Sequence, residues 1–313
     1  MIVTELDEHS ISDYEKLWST SHNATLFTDY KWLSIVVHPD QHCRYYGIYE
    51  DNNLVAAFPL VQIKSRLLVI YSLPYLTPYM GCFTNDNYMG ANLSAISDVY
   101  FAFIAKLKAD NFTMAFAPNN DDTIFPIKNK YSINQRHTYT IDLKDQIEVI
   151  LKNFKTDKKR NIKAAVKEGL TVSFDKNPET MGMLIKKTYS RQSQEASWIN
   201  QAVALLNNYE NCFQVTVSVD DKPASCLFIA YANKRSYYLF GGYDDSLNNF
   251  NAGPFAMWNA IQKSKELGME IFDFEGSEIP AIEKYFQRFG SKKCLFDSIE
   301  YKSMKQKLVK IIR

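Results

Sequence analysis

The sequence predicts an α/β (α+β) protein made of two tandem copies of one unit, each a mixed, mostly antiparallel sheet flanked by helices. Three observations predict it. One order of elements (hairpin, third strand, loop, helix, strand) runs twice along the chain. The strand segments alternate or run apolar and are separated by short Asp/Asn turns. The length of 313 residues exceeds one ordinary core and places the units at 1–145 and 146–313.

In the first copy "CRYYGIYE" is an aromatic strand, "DNN" a turn, "LVAAFPLVQI" the return strand and "RLLVIYSL" a third strand. A Pro/Gly-rich loop follows, then the helix "NLSAISDVYFAFIAKLKAD" and the alternating strand "FTMAFAP". The second copy reads "CFQVTVSV", "DDK", "PASCLFIAYA" and "RSYYLFGGY". There Gly241 and Gly242 are expected to end the third strand. An Asp/Asn-rich loop turns the chain, and Gly253-Pro254 open the helix "GPFAMWNAIQKSKELG" before the strand "MEIFDFEGS". Between the copies, "QIEVILKNFKTDKKRNIKAAVKEG" reads as helix stopped by Gly169, with "PETMGMLIKKTYSRQSQ" and "SWINQAVALLNNYE" as further helices. The end, from "KYFQRFG" onward, reads as a short helix, a strand and a basic helix.

Composition excludes several classes. The chain is 46% hydrophobic and 23% charged, which fits a folded globular protein. Its acidic start, "MIVTELDEHSISDYEKLW", lacks a basic n-region and an apolar h-region. No run of about 18 apolar residues is present. The five scattered cysteines form no Cys-x-x-Cys pair, so reduced thiols and a cytoplasmic location are expected. Net charge is +1 but uneven: residues 1–145 carry 11 Lys/Arg against 16 Asp/Glu, and the remainder 25 against 19. That asymmetry points to anionic ligands on the C-terminal side.

Several residues suggest chemistry. Asp273 and Glu275 share one face of a strand end, where a carboxylate suits the deprotonation of an attacking amine. Tyr237 and Tyr238 fall on opposite faces, so at least one belongs to the core; Tyr243, beyond the glycines, is the better proton donor or cleft residue. From Lys152 to Lys167 there are seven Lys/Arg and one acid, with Lys152, Lys155, Lys159 and Lys163 on one stripe. Such a stripe is a solvated face or a seat for phosphates; Arg160 is its best phosphate ligand. His38 and His42 are separated by Pro39, and no metal site is expected. The tail "YKSMKQKLVKIIR" leaves two options, a terminal helix packed on its domain or a peripheral contact with an anionic membrane.

The repeated unit resembles the GNAT acyltransferase fold, and two in tandem resemble the Fem family of peptidoglycan aminoacyltransferases and its acetyltransferase-like relatives. Four patterns carry the resemblance over nearly the whole chain: "ATLFTDYKWLSIV", "DKKRNIKAAVKEGLTV", "KKTYSRQS", and the ordered set "GGYDDSLNNFNAGPFAMWNAI", "GMEIFDFEGS" and "EKYFQRFG". The resemblance implies that the third strand and the strand after the helix splay apart. It also implies that Gly242, Asn251, Ala252, Gly253 and Phe255 present backbone to the phosphate or thioester of a donor. Arg191 is implied to contact an anionic acceptor, with Trp32, Tyr237, Tyr238, Arg160 and Lys163 on the substrate side. Gln287 and Arg288 lie where relatives stabilise charge on the carbonyl under attack. The chain departs from the family in having no long coiled-coil insertion, in Val36 where a lysine is common, and in "NNFNAGP", which lacks the usual phosphate signature.

The expected function is therefore an acyl- or aminoacyltransferase, joining the acyl group of an aminoacyl-tRNA or acyl-coenzyme A to an amine on a small-molecule or nucleotide-linked acceptor such as a cell-envelope precursor. A monomer is the expected state. The alternative is a non-catalytic scaffold of the same fold that binds a nucleotide-sugar or RNA.

Overall fold

Two-residue turns with both residues at positive φ close the hairpins: Asp51-Asn52 (48° and 64°), Asp220-Asp221 (47° and 62°) and Asn233-Lys234 (45° and 64°). Asn and Asp tolerate that left-handed region and match the twist of the strands they join. The computed structural model describes residues 1–88, 93–118, 131–191, 198–276 and 279–307, and the side chains of Ser190 and Arg191 lie outside that description.

The elements run β1 (Ile2–Glu5), α1 (Ile11–Thr20), α2 (Tyr30–Val36), β2 (Gln41–Glu50), β3 (Asn53–Ile63), β4 (Ile70–Tyr71), β5 (Phe83–Thr84), α3 (Leu93–Lys106), β6 (Asn111–Ala115) and β7 (Ser132–Asp142). Then come α4 (Ile147–Asn153), α5 (Thr156–Lys167), β8 (Thr171–Ser173), α6 (Pro178–Arg191), α7 (Ile199–Asn208), β9 (Cys212–Val219) and β10 (Lys222–Ala232). The last are β11 (Arg235–Tyr243), α8 (Ala252–Glu266), β12 (Ile271–Asp273), α9 (Pro280–Gln287) and β13 (Lys292–Lys302).

Two compact units result, Met1–His137 with Cys294–Arg313 and Thr138–Lys293. This differs from a break at residue 145. The division falls inside β7, and the C-terminal segment joins the first unit because β13 pairs antiparallel with β6, Ser298 opposite Ala115.

In the first unit the strand order is β1-β2-β3-β4-β6-β13-β7. The predicted third strand shrinks to Ile70–Tyr71, parallel to β6 through Ile70↔Asn111 and Tyr71↔Phe112. Its core is aromatic: Tyr14, Phe27, Trp32, Phe58, Tyr79 and Tyr100 are fully buried.

In the second unit the order is β7-β12-β11-β10-β9-β8. Parallel pairing of β11 with β12 is again short, Arg235↔Ile271 to Tyr237↔Asp273. α8 is buried through Ala252, Ala256, Met257, Trp258, Ala260 and Ile261 and ends where Gly268 takes φ 77°. Phe154 packs edge-to-face on Trp258 and Phe289, with centroids at 5.4 and 5.2 Å. The single helix expected over 146–169 is two, because Phe154 and Lys155 are extended between α4 and α5. The basic terminal helix lies mostly outside the described residues.

Candidate functional site

β12 stops at Asp273 while β11 continues to Tyr243, so the two strands part beyond Tyr237. The glycines do not end β11. They lie within it, paired with β10 as Leu227↔Gly241 and Cys226↔Gly242. What they provide is close approach. A Cβ on Gly242 would stand 2.3 Å from the carbonyl carbon of Leu184 in α6, and one on Gly241 2.7 Å from the Cys226 carbonyl oxygen.

Where the strands part, a cavity of about 380 Å³ opens. Leu227 of β10 and Tyr238, Gly241, Gly242 and Tyr243 of β11 supply part of its wall, Gly253, Pro254 and Met257 of α8 another part, and Ile282 and Tyr285 of α9 a third. Its lining is mainly apolar with a few hydroxyls, the composition of a small-molecule site.

At the start of α8 the polar loop mostly serves itself. Asn249 Oδ1 accepts from the amides of Asn251 (2.9 Å) and Ala252 (3.2 Å), and the Phe255 amide donates to the Asn251 carbonyl. The Asn251 side chain donates to Glu168 at 3.0 Å and accepts from Asn161 at 2.7 Å. Of the amides expected to face a donor, those of Ala252 and Phe255 are therefore occupied, and Asn251 is a loop anchor. Gly253 keeps an N–H with no partner among the described residues, on the cavity wall. A Cβ at Gly253 would lie 3.6 Å from Tyr285 Oη, so the phenol oxygen stands beside this helix start.

The two carboxylates of β12 separate in role. Asp273 is completely buried and its oxygens are taken: Arg235 Nη1 donates at 3.0 Å, Thr138 Oγ1 at 2.5 Å and the Glu275 amide at 2.8 Å. A carboxylate so engaged cannot serve as the base, which corrects the expectation for Asp273. Glu275 follows it with φ 58°, a strained value for a non-glycine residue. Its Oε1 is buried and has no hydrogen-bond partner among the described residues. Burial first, then the charge of Asp273, pushes this carboxyl well above the ordinary 4.5.

A pH dependence follows. Folded Glu275 holds its proton more tightly than the unfolded chain does, so stability falls as pH rises from 4.5 towards the folded value. Urea midpoints across that range are expected to decline for the wild type and to stay flatter for Glu275→Gln.

The predicted aromatics divide as the strand alternation requires. Tyr237 is 1% exposed and belongs to the core. Tyr238 lines the cavity, as does Tyr285, and burial raises the pKa of both, so each keeps its proton. Tyr243 also lines the cavity, but its Oη donates to the Asn249 carbonyl at 2.9 Å and so holds the loop. Trp32 is completely buried in the first unit, edge-to-face with Phe27 at 5.7 Å; a substrate cannot reach it there.

Arg160 and Lys163 are exposed and line neither this cavity nor a second hollow beside α9. Gln287 and Arg288 face that second hollow, away from the parted strands. Arg288 Nη1 pairs with Asp157 Oδ2 at 2.6 Å, and Gln287 Nε2 donates to Tyr139 Oη at 2.7 Å. Neither side chain lines the cavity beside the parted strands. Arg191 ends α6, and its side chain lies outside the described residues.

Sequence reasoning missed Tyr285 and Lys158. Lys158 is 8% exposed, with Nζ 4.4 Å from the centroid of the Tyr285 ring and 3.8 Å from Asp157. Burial lowers its pKa. Spacing signalled both. Lys158 lies four residues before Ile162 and seven before Ala165 on the apolar stripe of α5, and Tyr285 is three from Ile282. Among the described residues no group of three His, Cys, Asp or Glu could hold a metal, and no helix is long and apolar enough to cross a membrane.

Residues 152–287 match the model of a family described as acetyltransferase (GNAT) domain. Among solved structures, a crystal structure of FemX is similar over 100% of both chains, at 14% identity and a TM-score of 0.74. The structure of L-PGS from Bacillus licheniformis is similar over 100% of this chain and 96% of that one, at 10% identity and 0.58. A tandem GNAT protein from the clavulanic acid biosynthesis pathway is similar over 96% of this chain and 98% of its own, at 8% identity and 0.52. At such identities the likeness is one of fold. No curated protein matches the chain.

Proposed function

From a Fem-like tandem GNAT fold whose second unit carries the GNAT acetyltransferase match, we propose an N-acyltransferase that works in the cavity between the parted strands. The reaction joins an activated acyl group, held as a thioester or a ribose ester, to an amine. The C–N bond forms as the C–S or C–O bond breaks. Acyl-coenzyme A and aminoacyl-tRNA are both admissible donors, and an amine-bearing cell-envelope precursor is an admissible acceptor.

The observation that carries the reading is that Gly253, at a helix start, and the Tyr285 hydroxyl stand side by side on one mainly apolar cavity. Donors fixed in such a place stabilise charge on a carbonyl oxygen far better than in water. Tyr285 and Tyr238 stay protonated and so are suited to return a proton to the leaving group. Glu275 is not among the residues lining this cavity, so the proton the amine loses passes to water.

Tyr285→Phe removes one hydroxyl from an open wall. It is expected to lower kcat by about 10²-fold, with little change in unfolding midpoint. Acyl-coenzyme A thioesters and nucleotide-linked amines are the probes for a thermal-shift screen followed by turnover assays. Stabilisation by a nucleotide-sugar alone, with no response to any donor, would turn the reading towards a non-catalytic binder.

A further inference from the structure

A second hollow lies beside α9, also about 380 Å³, and shares no lining residue with the acyl cavity. Lys155 and Asp157 from the start of α5 form one side, and Lys284, Gln287 and Arg288 the other. Three cations thus face one carboxylate, and that carboxylate is committed. Asp157 is paired with Arg288 at 2.6 Å and has Lys158 Nζ at 3.8 Å. Lys155 and Lys284 are exposed and have no acid partner among the described residues.

The helix that opens into this hollow begins against the usual rule. Lys155 stands at the N-cap of α5, where Ser, Thr, Asp or Asn normally supplies an acceptor, and it makes no side-chain cap. Asp157, Lys158 and Lys159 follow in the first turn, two cations to one acid where the helix dipole favours anions. The Thr156 amide has no partner among the described residues. α9 then adds Lys284 and Arg288 to the same place. Positive charge gathered from two helices around a concave space is unfavourable when empty of anions and favourable with one inside.

We propose that this hollow binds the phosphate group of a small phosphorylated ligand. Lys155, Lys284 and the remaining N–H groups of Arg288 pair with its oxygens, and the Thr156 amide adds a neutral donor. A phosphate suits the hollow better than a carboxylate, since its oxygens can take charged donors from several directions together. The inference does not depend on the acyl cavity being catalytic.

The test uses the full chain, with inorganic phosphate titrated against chloride at constant ionic strength and thermal unfolding as readout. Wild type is expected to gain about 2–4 °C at saturation. The double variant Lys155→Ala/Lys284→Ala alters two exposed side chains and is expected to fold normally while losing most of that gain. An equal gain in the double variant would put the anion elsewhere, at the start of α8 for example, and overturn the proposal. So would no gain beyond chloride. A lysine-dependent response to a single-stranded RNA oligonucleotide with none to phosphate would also overturn it, by identifying a track for a polyanion.

Discussion

Asp273→Asn is expected to cost the second unit about 3 kcal/mol of stability while leaving any residual turnover per folded molecule nearly unchanged. Asparagine keeps an acceptor for Thr138 and for the Glu275 amide, so the hydrogen bonds at 2.5 and 2.8 Å have a replacement. The charge has none. Arg235, whose side chain is only 17% exposed, would keep a guanidinium beside a neutral amide in a place water reaches poorly. Stranding one partner of a buried pair costs more than deleting both. The double variant Asp273→Leu/Arg235→Met is therefore expected to recover much of the loss. Urea unfolding of the two singles and the double gives the coupling directly. A folded, fully stable Asp273→Asn that had lost turnover would restore Asp273 to the chemistry and remove it from the scaffold.

That ion pair shows where the sequence stops being legible. The repeated order of hairpin, third strand, loop, helix and strand was readable because alternation and Asp/Asn turns are local signals, and the turns sit at positive φ where those residues predict it. The parting of the strands followed from the resemblance. Partners distant in sequence did not: nothing in "FDFEGS" announces Arg235, which arrives from another strand. The resemblance implies that Asn251, Ala252, Gly253 and Phe255 face a donor, yet Asn249 and Asn251 spend their side chains on their own helix start and on Glu168. The basic stripe of α5 is legible from its spacing, but that spacing singles out the charged face. Lys158, on the apolar side, is the lysine that burial changes. Trp32 fits a motif and is nevertheless core, because a motif reports spacing and not access.

Gly242→Ala is expected to destabilise the second unit by about 3 kcal/mol. The added methyl would meet the Leu184 carbonyl carbon at 2.3 Å and the Ile185 nitrogen at 2.5 Å. Both belong to the backbone of α6, so no side-chain rotation relieves the clash and the helix itself must retreat. Its retreat breaks specific links. Thr188 Oγ1 accepts from the Tyr243 amide at 2.7 Å and donates to the Tyr243 carbonyl at 3.3 Å, and Lys187 pairs with Asp244. Thr188 is also part of the cavity wall, so the same displacement should weaken donor binding beyond what lost stability alone explains. Gly182, on the same helix, provides the control. A Cβ there meets nothing within 4 Å, and Gly182→Ala is expected to stabilise the helix by about 0.5–1 kcal/mol. Opposite signs for the two alanines in urea unfolding would establish that α6 is pressed onto β11 at Gly242. A neutral Gly242→Ala would mean that helix and strand are not in contact there. The absence of a side chain at 242 would then need a reason inside the cavity, where donor affinity measured on the same variant would reveal it.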